Sequence, residues 1–214
     1  MLIKEACLEN FTHLGQAIRQ GAQRIELCDN LAVGGTTVSH GVLAASLRYA
    51  HEHDVPVFPI IRPRGGNFVY NDLELQIMEN DLFQAQELGA DGVVFGCLTA
   101  DGALDEEAME MLIGAAGGMA ITCHMAFDAL TPAARQPALD WLIEHGVDRI
   151  LTHGGPAHTP IEANYDHLKQ LITAAAGRIQ ILPGGGITAA NADAVATALH
   201  VNEVHGTRVV GTFD

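Results

Sequence analysis

The chain has 214 residues, 48% of them hydrophobic, and sets 11 Lys and Arg against 26 Asp and Glu, a formal net charge of −15. That hydrophobic fraction excludes a disordered chain, and the length suits one domain over 1–214 with a substantial core. The negative balance disfavours nucleic-acid and membrane-surface partners, and no stretch approaches the roughly 20 apolar residues of a membrane span.

In chain order, 2–7 reads as a first strand, followed by a helical pattern over 11–20 that stops at Gly21. A second strand, 24–28, precedes a helix over 39–53 with Ser39 as its N-cap. A third strand at 55–62 leads to a helix over 72–88, with Asp72 as the expected N-cap and Gly89 as the stop. Strands at 91–97, 120–125 and 148–152 then alternate with helical patterns at 105–116, 132–145 and 161–176, and Gly146 ends the second of these helices. The last strands, 179–182 and 203–205, flank a helix over 188–199.

Eight strands alternating with helices predict a parallel sheet closed into an α/β TIM (β/α)8 barrel. A doubly wound sheet is disfavoured, because no G-x-G-x-x-G follows the first strand. The final C-terminal helix has no counterpart before Asp214. The outer face near the first and eighth strands is therefore expected to lie open, and a second subunit to cover it as a homo-oligomer.

Strand side chains alternate between faces. If Ile25 and Leu27 face the helices, Glu26 and Cys28 point into the barrel. The matching Glu-x-Cys of the first strand puts Glu5 and Cys7 inward too. By the same reasoning Arg62 and Arg64 share a face of the third strand, Thr122 and His124 of the fifth, and Glu203 and His205 of the eighth. These positions lie near C-terminal strand ends, where active sites of this fold sit. Buried charges need partners, so a structural ion-pair network accounts for the same residues.

The four cysteines, Cys7, Cys28, Cys97 and Cys123, show no C-x-x-C spacing and are too few for a disulfide scaffold. Cys97 and Cys123 fall on the outer parity and read as core. No secretion signal opens the chain, so a cytoplasmic protein with reduced thiols is expected. The seventh strand ends in Gly184-Gly185-Gly186, and glycines there let the backbone approach an anion closely. Arg62 and Arg64 add guanidinium forks that match phosphate or carboxylate, so a small anionic ligand is expected.

Taken together, the sequence resembles the CutC family of copper homeostasis proteins. The resemblance rests on Glu5-x-Cys7, Arg24-Ile-Glu-Leu-Cys28, Gly34-Gly-Thr-Thr37, Ile61-Arg-Pro-Arg-Gly65, Asp91-Gly-Val-Val, His124-x-Ala-Phe-Asp128, Arg149-Ile-Leu-Thr152, Pro183-Gly-Gly-Gly-Ile187 and Glu203-Val-His205. One departure is Met125, where the family usually has arginine. The resemblance implies a TIM barrel, a cytoplasmic location and copper handling, with copper on Cys7 and Cys28. Two thiolates from neighbouring strands suit soft Cu(I), with His124 or His205 as a third ligand.

The residues also support a different reading, an enzyme acting on a small phosphorylated or carboxylated metabolite. Glu26, His124 and Glu203 would be its acid–base groups, and Arg62, Arg64 and Gly184–Gly186 its anion site. Divalent-metal assistance through His and Glu is compatible with it. Schiff-base chemistry is disfavoured, because Lys4 and Lys169 are the only lysines and neither falls at the pocket.

Overall fold

The computed structural model describes residues 2–156 and 158–213. Its strands are β1 (Ile3–Glu9), β2 (Arg24–Cys28), β3 (Val57–Pro59), β4 (Gly92–Phe95), β5 (Ala120–Cys123), β6 (Arg149–Thr152), β7 (Gln180–Pro183) and β8 (Glu203–Gly206). The helices between them are α1 (Leu14–Arg19), α2 (His40–His51), α3 (Asp72–Glu87), α4 (Glu106–Ala115), α5 (Arg135–Glu144), α6 (Tyr165–Ala175) and α7 (Ala192–Leu199).

The strands pair in parallel as β3-β2-β1-β8 and β4-β5-β6-β7. One seam is bridged where Ile61 N–H donates to the Val94 carbonyl at 2.8 Å, beside an Ile60–Val94 bridge. At the other, β7 lies beside β8 and Thr188 bridges Arg208 just beyond them. The architecture is the predicted TIM barrel. β3 is shorter than expected because Pro59 has no N–H with which to continue a ladder.

The alternating pattern separates two buried layers. Ala6, Ile25, Leu27, Val57, Val93, Phe95, Ile150, Ile181 and Val204 face the helices in one continuous core, which also holds Cys97 and Cys123. Inside the barrel, Cys7, Cys28, Phe58, Ile60 and Val94 form a separate small cluster. Ser39 caps α2 by accepting from Val42 N–H at 3.4 Å. The N-cap of α3 is Asn71, not Asp72: Asn71 and Glu74 form a reciprocal capping box, and Asp72 takes the first turn, where an acid suits the helix dipole. Gly21, Gly89 and Gly146 have φ of +95°, +79° and +73°, the left-handed conformation that stops a helix.

The expectation of an open face beside β1 and β8 is not met. Ala6 and Val204 on that face are both 0% exposed. Residues 209–213 fold back over it: Val209 enters the core, and Phe213 stacks on His13 at 5.2 Å between ring centroids. Gln20 Nε2 donates to the Thr212 carbonyl at 3.3 Å and pins this segment to the region of α1. An irregular segment with two apolar anchors does the covering, which removes the reason given for a second subunit. Among the described residues, no helix is long and apolar enough to cross a membrane.

Candidate functional site

The floor of the barrel is ionic. Arg24 Nε donates to Glu5 Oε2, and Arg24 Nη2 donates to Glu203 Oε2 at 2.6 Å. Arg149 Nε donates to the same Glu203 oxygen at 3.3 Å. Both guanidiniums also lie over the Phe58 ring, 5.3 and 5.1 Å from its centroid. Arg24, Arg149 and Glu203 all begin their strands, so this network sits at the N-terminal end, opposite the expected mouth. Glu203 lies there between two arginines and does not line the cavity above.

One layer higher, His205 links two carboxylates. Its Nδ1 lies 2.7 Å from Glu5 Oε1 and its Nε2 3.5 Å from Glu26 Oε2. Burial works against the imidazolium, but the Glu26 charge and hydrogen bonds to Cys7 and Glu5 outweigh it and hold His205 well above the usual histidine range. Burial would raise Glu5, yet the His205 hydrogen bond and the Arg24 charge bring it down to about 2. Glu26 goes the other way: burial leads, and its carboxyl is raised.

Cys7 Sγ, Glu26 and His205 place ligand atoms within 4.8 Å of one another. Cys28 Sγ stands 3.9 Å from Cys7 Sγ. The Cys7–Cys28 hydrogen bond and burial push the Cys7 thiol well up. For Cys28 that bond lowers the thiol, but burial and the Glu26 charge prevail and leave it at about 11. Both are thiols, not thiolates, at neutral pH.

Above this cluster lies a cavity of about 300 Å³, lined by Cys7, Glu26, Cys28, Arg62, His124 and His205 among others, with Gly185, Gly186, Thr207 and Arg208 also in its wall. His124 follows β5 and is 4% exposed. Its Nδ1 accepts from Ala126 N–H at 3.2 Å, which fixes the ring proton on Nε2. Burial first, and then the Arg62 charge, depress its pKa to about 3 and keep the ring neutral. Among the described residues, Nε2 has no hydrogen-bond partner.

The two predicted anion-binding arginines part company. Arg62 lines the cavity, but its Nη1 and Nη2 donate to the carbonyls of Val33, Gly35 and Gly66, at 3.0, 2.9 and 2.8 Å, which leaves Nε without a partner among the described residues. It ties the loops after β2 and β3 together. Arg64 does not line the cavity; it pairs with Glu74 at 2.5 Å at the start of α3. Parity fails there because the chain has left the strand and bends through 63–66. Gly185 and Gly186 line the cavity, whereas Gly184 does not and holds His153 through its carbonyl, 3.0 Å from Nδ1. Neither lysine reaches the cavity, and Lys4 pairs with Asp193 at 3.8 Å.

Three arginines escaped the sequence reading. Arg24 shares the parity of Glu26 and Cys28, and Arg149 opens the sixth strand, so alternation was the available signal for both. Arg208 lies in the loop after the eighth strand, a customary phosphate-binding position in this fold.

The comparisons with known proteins agree with this geometry. The model of the CutC family matches residues 2–210. The family protein CutC of Enterococcus faecalis is 64% identical over 209 residues, covering 98% of this chain and 100% of the relative. The copper homeostasis protein cutC homolog of Homo sapiens is 40% identical over 204 residues, covering 95% of this chain and 72% of the relative. The crystal structure of the copper homeostasis protein CutC of Streptococcus agalactiae superposes with a TM-score of 0.94 at 45% identity, covering 98% of this chain and 100% of that one. An aldolase barrel at 15% identity and a TM-score of 0.70 shares the fold alone. The chain belongs to the CutC family.

Proposed function

We propose that this protein takes Cu(I) as its cargo at the inner end of the cavity, on Cys7, Cys28 and His205. The observation that supports it is the 3.9 Å separation of the two sulfur atoms. With metal–thiolate bonds of roughly 2.3 Å, a trigonal site sets its sulfurs about 4.0 Å apart, whereas a linear one needs about 4.6 Å. The spacing suits a three-ligand site, and His205 Nε2 is the third donor beside Cys7. Thiolate and imidazole suit a soft monovalent copper ion.

His205 also has the support that metal-binding histidines use: Glu5 takes its Nδ1 at 2.7 Å and orients the ring. Loading must displace the protons of both thiols and of His205 Nε2, and Glu26 stands within reach of the latter at 3.5 Å. His124 is a donor in this reading, not a ligand, because its Nε2 carries the ring proton. The names of the human and mouse relatives, copper homeostasis protein cutC homologs, agree with the proposal. A site of free thiols needs a reducing compartment, which makes the cytoplasm part of the same proposal.

The test is an anaerobic titration against a competing Cu(I) chelator. One Cu(I) should bind per chain. Cys7→Ala and Cys28→Ala should each lose more than the roughly 10- to 100-fold that outer-shell changes cost. Equal affinity in wild type and both variants would defeat the proposal.

A further inference from the structure

The outer half of the same cavity contains hydrogen-bond donors that the copper site does not use. Gly185 and Gly186 have φ of +84° and +75°, so consecutive left-handed residues form this turn after β7. Among the described residues, the N–H groups of Gly185, Gly186 and Thr207 donate to no acceptor. Arg208 is exposed at the same wall, and its guanidinium makes no hydrogen bond or ion pair among the described residues. In a chain with a net charge of −15, an unpaired arginine beside free backbone donors marks a local site for an anion. The second, independent observation is the buried, unpartnered Nε2–H of His124 in the same cavity. A buried donor without a protein partner calls for an acceptor from a ligand.

We propose that this cavity binds a small phosphate monoester that also contains a carbonyl group. The phosphate sits on Gly185, Gly186, Thr207 and Arg208, and the carbonyl oxygen accepts from His124 Nε2. The cavity of about 300 Å³ lies at the small end of ligand sites, which limits the occupant to a few carbon atoms. Arg62 contributes positive charge; Nη1 and Nη2 donate to three carbonyls, while its buried Nε–H has no partner among the described residues. A neutral, tautomer-fixed imidazole polarises a carbonyl without giving up its proton, and the buried carboxyl of Glu26 lines the same space. This inference is independent of the copper reading, since none of its donors is a proposed copper ligand.

The test uses the full chain, freed of metal with a chelator, and three probes: inorganic phosphate, dihydroxyacetone phosphate and dihydroxyacetone. Binding is read by calorimetry and by phosphorus NMR line broadening. Dihydroxyacetone phosphate should bind at least about tenfold tighter than inorganic phosphate, and dihydroxyacetone should not bind measurably. Arg208→Ala, an exposed change that leaves the core intact, should weaken both phosphate probes by about tenfold or more. His124→Leu should reduce the ester to the affinity of inorganic phosphate. Failure of the phosphate probes to bind at millimolar concentration, or binding unaltered by Arg208→Ala, would overturn the proposal. Metal-free protein keeps this outcome separate from any failure of copper binding.

Discussion

His124 and His205 are both buried in the barrel, yet they hold different protonation states because of what faces them. His205 lies between Glu5 and Glu26 and stays protonated, whereas His124 faces Arg62 and stays neutral. The signs of their pH effects follow. The folded chain refuses a proton at His124 until about pH 3, while the unfolded chain accepts one near 6.5. Stability from this residue is therefore full above 6.5 and declines as the pH falls from there towards 3. Glu5 enters only below its ordinary value of 4.5, and His205 acts on the alkaline side. Glu26 and Asp128, both raised in the folded chain, and the unfolded form of His205 also titrate on this side, so the difference between wild type and His124→Leu in urea unfolding at about pH 7 and about pH 5 is what isolates His124. A tenfold difference in proton affinity between the folded and unfolded chain is worth about 1.4 kcal/mol. The wild type should lose more stability than His124→Leu between those two conditions. Equal losses would show that the ring is already charged in the folded protein.

At the scale of elements, alternation along β1, β2 and β8 was enough to turn Glu5, Cys7, Glu26, Cys28 and His205 inward from the sequence. The same rule misplaced Arg64, because it holds only while the backbone stays extended. It also implied Arg24 without that residue being read, and Arg24 is the cation that makes two buried carboxylates tolerable. Three-dimensional neighbours could not be read this way: the carbonyls that occupy Arg62 come from loops after two different strands. Gly92 is another such case, since nothing in its local sequence explains it. A Cβ there would lie 2.5 Å from the Phe58 ring and 2.7 Å from the Ala120 carbonyl. Gly92→Ala must displace the ring stacked under Arg24 and Arg149 and should cost roughly 1–3 kcal/mol in denaturant unfolding. An unchanged midpoint would mean that the ring is not held in place.

The whole molecule divides its work along the barrel axis. The ionic network sits at the N-terminal end, the thiol cluster above it, and the unsatisfied donors at the mouth. Closure was legible from eight strand–helix alternations, whereas the irregular cover of residues 209–213 was not, because it has no periodicity to detect. In this division copper is expected at the thiol layer. X-ray absorption at the copper edge, on the full chain loaded anaerobically with one equivalent of Cu(I), tests it most directly. Two sulfurs and one imidazole nitrogen should form the first shell. A shell of nitrogen and oxygen alone would contradict it.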